Sequence, residues 1–575
     1  YAWRNREMSG RAREDRRLGD IYHSSPVVIG PPSEDLADES YNLYRDRPVV
    51  QDRPTVAYVG TNDGILHAFA VEDTEITTGP HAGVTIEAGQ ELWGFIPPMF
   101  LQKLKSAMSS HQFMVDGTPV VKEVFTRRFA GDQPDGLIYR TILIVGMRGG
   151  GEGYIAVDVT DPLDPRFLWQ FAHDDMGFTY GQAGIGQVLV EGSDGLQERA
   201  FALLPGGTGT DLSDPDSGCG AAEDLDGDGE YDKPLGCPSR GKGTPPVNEG
   251  TTTARENIPC FDTQGRRLFF IDVATGERIG LFDDTTFNAP LTGGVSMFPG
   301  QTGRIANRAY ITDDAGVIWR IDMSSPKMSE WFADPLHDIF WDGEAYDGQP
   351  AYNPPIVSTD NQGNAVLVQA TGNIDDLDGT AANRVVSLTE EITFADDGSV
   401  DEIAAKLNWE IRLEEGEQVT GPLELFNGDV YFGSFQSSPD LTNACEFGQS
   451  RLWGVEYIDS EEDSDLPKGV LPHPTDPDTF ERFRGPFENQ LVMGVQVAQR
   501  PSCVSFSEVS VTDPYFGADT ATQVTGQGGG KFELVALVGG DGVKKSGSDV
   551  GELDAPPMQQ PVFYTEVHGL AGSVQ

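Results

Sequence analysis

The residues best spaced for chemistry are Asp224, Asp226, Asp228 and Asp232 in the run Asp-Leu-Asp-Gly-Asp-Gly-Glu-Tyr-Asp. Carboxylates at the first, third, fifth and ninth positions of a loop, with glycine at the sixth, give the oxygen-rich spacing that a hard Ca²⁺ ion requires. Gly229 permits the sharp turn, and the carbonyl of Glu230 is expected to complete the set. Position 12 is Leu235 instead of a bidentate Glu, which predicts weak binding, about 10⁻⁴ to 10⁻³ M. Cys219 and Cys237 bracket this loop, and a disulfide between them would restrain the unfolded chain by ~3 kcal/mol. Cys445 and Cys503 are a second candidate pair, leaving Cys260 free, although spacing alone leaves the connectivity open. No C-x-x-C pair exists, which argues against structural zinc and dithiol redox chemistry. A second acidic run, Asn373 to Gly379, reads as a hairpin turn. The eight histidines follow no ligand spacing, and His23 and His67 read as satisfied structural residues in strand-like segments. With no G-x-S-x-G elbow, P-loop or H-E-x-x-H present, no catalytic residues are expected.

The elements that must position these residues are β-rich. Apolar alternating runs recur around Gly/Asp/Asn turns: Ala57–Phe69, Thr141–Val159, Leu268–Gly276, Arg308–Asp322, then copies starting near Val366, Val430 and Phe532. Asn-Asp-Gly and Asp-Ala-Gly tolerate the positive φ that tight hairpins need. Several copies continue into a Trp-bearing strand, at Trp93, Trp169 and Trp409. Seven copies predict an all-β fold, a single seven-bladed β-propeller over 1–575, with six or eight blades as alternatives and paired β-sandwiches as the competing architecture. Pro97–Ser110 predicts one short amphipathic helix. Residues 206–257, which hold the calcium candidate, and the acidic, proline-rich 460–486 read as surface insertions between strands.

Composition narrows the function classes. The chain has 575 residues, 69 of them Gly and 38 Pro, with a formal net charge of −51. Such an acidic surface repels phosphate backbones and anionic lipid heads, so neither nucleic acid nor a membrane surface is an expected partner. No apolar run is long enough to span a bilayer. Because the chain opens on Tyr1, it reads as a processed protein or a piece of a longer one.

Longer ordered motifs carry a resemblance. Arg17-Leu-Gly-Asp-Ile-Tyr-His-Ser-Ser-Pro-Val27 and Tyr58-Val-Gly-Thr-Asn-Asp-Gly-Ile-Leu-His-Ala-Phe69 resemble the opening of the C-terminal propeller of the PilC/PilY family. Glu91–Pro97, Val115–Pro119, Gly149–Pro162, Asp314–Asp322 and Ser450–Tyr457 continue the likeness in the same order. The resemblance implies an exported, non-enzymatic factor of type IV pili at the pilus tip and outer surface. Its expected roles are pilus assembly alongside minor pilins, adhesion and twitching motility. Family members often place a calcium loop just ahead of the segment corresponding to Asp314–Asp322. Here the matching positions are Pro299, Gln301, Gly303 and Asn307, so that site is not carried over.

Two rival classes remain. Phe270–Gly276 echoes the blades of quinoprotein dehydrogenases, but the adjacent Cys-Cys pair of those enzymes is missing. A carbohydrate-binding propeller would use loop aromatics such as Tyr515 and Phe516.

Overall fold

A computed structural model describes most of residues 18–499, the longest internal stretch outside the description being 211–260, together with short strands at 2–4 and beyond 507. The chain forms two compact units, one of residues 1–376 with 381–413, the other of 377–380 with 414–575.

The first unit holds five consecutive antiparallel sheets. Blade 1 runs through Val27–Ile29, Val56–Gly60, Leu66–Ala70 and Glu91–Ile96, with Ala2–Arg4 added along its last strand. Blade 2 comprises Val120–Thr126, Ile138–Gly146, Tyr154–Asp158 and Arg166–Phe171. Blade 3 comprises Gly184–Gly192, Gly195–Pro205, Leu268–Asp272 and Arg278–Phe282. Blade 4 is formed by Ser296–Phe298, Arg308–Thr312, Val317–Asp322 and Phe332–Asp338. Blade 5 is formed by Ile356–Thr359, Ala365–Ala370, Arg384–Phe394 and Val400–Arg412.

Side-chain alternation explains why these sheets stack. Successive residues of a strand point to opposite faces, so a strand apolar on both faces must be covered twice. On blade 2, Leu143 and Val145 join Tyr58, Leu66 and Phe95 of blade 1 in one core. Their neighbours Ile142 and Ile144 join Ala202, Leu204, Phe269 and Ile271 of blade 3 in another. Phe201, Leu203, Leu268 and Phe270 then turn the other face of blade 3 to Ala309, Ile311, Trp319 and Ile321 of blade 4. The Trp strands are the last strands of their blades, as expected. The Trp93 indole N–H donates to the Pro162 carbonyl of blade 2 at 2.9 Å, and that of Trp169 donates to Val273 of blade 3 at 2.8 Å. Gly276, at φ +72°, lies under Trp169, where a Cβ would come within 2.6 Å of the side chain. Glycine is required there both for its conformation and for its size.

In the second unit, Asp429–Ser437 and Gly448–Ser460 form the spine of a six-stranded sheet, the sixth blade. The expectation of seven blades is therefore corrected to six among the described residues. The seventh sequence copy does form a strand, Phe532–Gly539, but it pairs with Leu491–Gln499 and Glu552–Leu553 in a three-stranded sheet. Val492 and Val495 of that sheet share a core with Tyr431 and Leu452 of the sixth blade and with Leu471 of a neighbouring two-stranded sheet. Residues 460–486, read as a loop, contribute strands at Pro467–Gly469, Leu471–His473, Asp476–Glu481 and Phe483–Glu488. Two of these extend the sixth blade along Gly448–Ser460.

Helix is scarce. The expected helix at 97–110 reduces to a 3₁₀ turn at Pro98–Phe100 and a single turn at Leu104–Ala107. A better-formed helix, Glu39–Arg45, is capped by Asp38, whose carboxylate accepts from Ser40 N at 2.8 Å and Tyr41 N at 3.3 Å.

Candidate functional site: a charged cluster where four blades meet

In an antiparallel blade, the approach to the first strand and the connection from second to third strand lie at the same end. Six side chains from such segments converge in the first unit. His23 precedes blade 1, Asp116 precedes blade 2, Tyr180 precedes blade 3 and Tyr352 precedes blade 5. Arg148 and Asp375 come from the second-to-third connections of blades 2 and 5.

His23 is the hub. Its Nδ1 lies 2.6 Å from Asp116 Oδ2 and its Nε2 lies 2.9 Å from Asp375 Oδ1. The His23 and Asp116 side chains are only 5% and 2% exposed, so both charges are withdrawn from water. Arg148 reaches the same carboxylates, 3.8 Å from Asp116 and 3.5 Å from Asp375. Its guanidinium lies 4.6 Å from the ring centre of Tyr180 and 5.3 Å from that of Tyr352, cation–π contacts with two rings that pack on each other at 4.9 Å. Arg148 has φ +49° and is held by its N–H to the Thr179 carbonyl at 3.1 Å. Tyr22 and Phe113 cover His23, with ring centres 4.2 and 6.0 Å away.

The electrostatics follow from this packing. Burial pushes the Asp375 carboxyl up, but hydrogen bonds from His23, the Arg148 charge and the Tyr180 hydroxyl bring it down to about 2. Burial also pulls the His23 ring down, and its bonds to Asp116 and Asp375 outweigh this, leaving it above its ordinary value. Burial first, then the Asp375 charge, raises Tyr180. Two cations thus face two carboxylates in a net-neutral group, held partly by ion-pair proximity, since His23 Nε2 and Arg148 Nε are buried without an aligned hydrogen bond.

Asp375 belongs to the acidic run read as a hairpin turn, and it lies in the connection between the second and third strands of blade 5. His67 lies within Leu66–Ala70, its Nδ1 2.7 Å from Glu91 and its Nε2 3.1 Å from the Thr61 hydroxyl, while His23 sits just ahead of its strand. The calcium candidates Asp224, Asp226, Asp228, Glu230 and Asp232 lie outside the described residues, as do Cys219, Cys237, Cys260, Cys445 and Cys503. The neck of their insertion is described. Thr210 N–H donates to Asp262 Oδ1 at 3.2 Å, and Asp262 N–H donates back to the Thr210 carbonyl at 3.0 Å. Residues 299–307, where family members often place a calcium loop, contain no carboxylate. They close through Asn307 N–H to the Phe298 carbonyl at 3.0 Å.

Arg148, like Asp116, Tyr180 and Tyr352, is a cluster residue that the sequence reading does not single out. Its signal is a lone cation inside the glycine-rich turn Met147-Arg-Gly-Gly-Gly151, where Gly150 lets the Met114 backbone approach too closely for any Cβ.

Comparison with known proteins agrees with the resemblance read from the sequence. Residues 18–191 match the family model described as the PilY1 beta-propeller domain. The type IV pilus biogenesis factor PilY1 of Pseudomonas aeruginosa (strain UCBPP-PA14) is 32% identical over 199 residues, covering 32% of this chain and 15% of that protein. A PilY1 homolog of Xylella fastidiosa is 24% identical over 349 residues, covering 59% of this chain and 22% of the relative. The chain thus spans well under a third of these relatives. The crystal structure of the Pseudomonas aeruginosa PilY1 C-terminal domain matches with a TM-score of 0.51 at 14% identity, over 91% of this chain and 99% of that one. That likeness extends the common propeller fold well beyond the segment aligned by sequence, and within it residues 18–191 are similar to the PilY1 propeller family.

Proposed function

We propose that this chain is the propeller part of a type IV pilus biogenesis factor, exported to the cell surface and working without catalysis at the pilus tip beside minor pilins. The observation that carries the reading is the PilY1 propeller match over 18–191, which covers blades 1 and 2 and the first strand of blade 3. That stretch also supplies His23, Asp116, Arg148 and Tyr180. Their charges are spent on one another, which favours a scaffold over an active centre. Adhesion and twitching motility belong to the same proposal. In-frame deletion in the source bacterium should abolish or sharply reduce surface pili and twitching zones, both restored by the full-length gene. Unchanged pilus counts would overturn the assignment.

The proposal includes Ca²⁺ on Asp224, Asp226, Asp228, Asp232 and the Glu230 carbonyl. Support comes from the donor spacing and from the pinned neck at Thr210 and Asp262, which returns the chain to the blade on either side. Calorimetric titration should show uptake near 10⁻⁴ to 10⁻³ M, about what extracellular modules show. An Asp226→Ala, Asp228→Ala variant should lose that uptake and keep a wild-type melt in EDTA. Equal uptake by the variant would place calcium elsewhere.

A further inference from the structure

An imidazole has two ring nitrogens, and only the protonated ring donates from both. His23 Nδ1 hydrogen-bonds Asp116 at 2.6 Å, and its Nε2 lies 2.9 Å from Asp375 Oδ1 as a close ion-pair contact without hydrogen-bond alignment, so carboxylate charge faces both nitrogens and favours the imidazolium. A neutral ring would turn a lone pair toward one of the two carboxylates.

The surroundings determine which contact gives way. The His23 segment is tied to the Asp116 segment by three further bonds. His23 N–H donates to Asp116 Oδ1 at 3.3 Å, Ser25 N–H to Thr118 Oγ1 at 3.0 Å, and Thr118 Oγ1 to the His23 carbonyl at 3.3 Å. None depends on the ring's charge. Asp375 is 29% exposed, so it can exchange His23 for water, whereas Asp116 at 2% cannot. From our geometry we propose that His23 is a protonation-dependent latch. As imidazolium it ties the blade 5 connection carrying Asp375 to blades 1 and 2, and when neutral it keeps Asp116 and releases Asp375.

The other groups facing His23 fit this role. Arg148 offers the released Asp375 only a longer contact, at 3.5 Å, and Tyr180 supplies a neutral hydroxyl. Tyr352 lies beyond Arg148, and His111, paired with Asp20 at 2.9 Å, lies beyond Phe113. The imidazolium is favoured in the folded state, so its contribution is complete below the ordinary histidine pKa and is lost as pH rises through the folded value. Loss of the latch would free the connection on the face where four blades meet, coupling its mobility to ambient pH.

Hydrogen–deuterium exchange of the full chain at pH 5.5 and 8.5, corrected for intrinsic exchange rates, tests this. Peptides covering residues 371–377 should open several-fold more readily at pH 8.5 than at pH 5.5. His23→Gln, which cannot titrate, should remove the pH ratio in that segment and leave blade 4 peptides unchanged. If that variant fails to fold, Asp375→Asn should remove the ratio in its place. Equal protection of wild type at both pH values, or a ratio that persists in a folded variant, would overturn the latch.

Discussion

At the scale of single residues, adjacent blades are locked by buried charges as well as by apolar cores. Glu390 of blade 5, 1% exposed, sits 2.5 Å from Arg320 and 3.2 Å from Arg308 of blade 4. Neutralising it takes the carboxylate from the largely buried Arg308 and leaves Arg320 only Asp322, at 2.7 Å, so Glu390→Gln should cost about 3 kcal/mol. Urea midpoints measure this, and an unchanged midpoint would contradict the role. His337 works in the opposite sense to His23. Burial first and the Arg384 charge second hold its ring down to about 4, so it is neutral in the folded chain. Its contribution is present above pH 6.5 and lost as pH falls toward 4. His337→Gln should therefore lose less stability than wild type between pH 6.5 and pH 4.5, read from urea midpoints. Parallel losses in the two proteins would assign the acid sensitivity to other groups.

At the scale of elements, hairpins were legible because each is a local event. Asn62-Asp63-Gly64 and Asp314-Ala315-Gly316 sit where turns were expected, with Gly64 at φ +86° and Gly316 at φ +80°. Which hairpins complete a blade is not local. The copy at Phe532 has the right alternation but finds its partner at Leu491–Gln499, and nothing in its own residues reveals that choice. Likewise, the charged cluster joins His23 to Asp375 across most of the first unit, so no window of sequence contains it. The helix at Glu39–Arg45 escaped the sequence reading despite a readable cap at Asp38, because its seven residues turn only two buried side chains inward, Tyr41 and Tyr44, which pack with Tyr139 of blade 2. One strand pair in the sixth blade carries a built-in conflict. Asp429 stands opposite Glu456, and burial first, with the Glu456 charge behind it, pushes the Asp429 carboxyl up to about 6. A carboxyl raised in the folded state penalises folding above its unfolded pKa, increasingly up to the folded value. Asp429→Asn should therefore stabilise this sheet by about 1–2 kcal/mol at pH 7, allowing for the residue's partial exposure, and by much less at pH 4. Chemical denaturation at the two pH values checks it, and a destabilised variant at pH 7 would refute it.

At the scale of the whole molecule, charge dominates. A net −51 on 575 residues repels itself, and salt screens that repulsion over distances of about 10 Å at 0.1 M. The melting temperature should rise between ~10 mM and ~500 mM NaCl with divalent ions removed. A flat or falling Tm would mean that the buried ion pairs, which salt reaches poorly, outweigh the surface field.

The neck formed by Thr210 and Asp262 carries a consequence for how such a chain can change over time. Two reciprocal hydrogen bonds bring the ends of 211–260 together as closely as the ends of a tight hairpin, while the register of blade 3 is set beneath them by Phe201–Pro205 against Leu268–Asp272. Closing a long loop instead of a four-residue turn costs at most about 2 kcal/mol, because the closure entropy grows only with the logarithm of length. The neck therefore acts as a splice point. Whatever lies beyond it can be lengthened, shortened or exchanged between strains at almost constant stability, so new surface chemistry can be sampled there while the blades keep the sequence that stacks them.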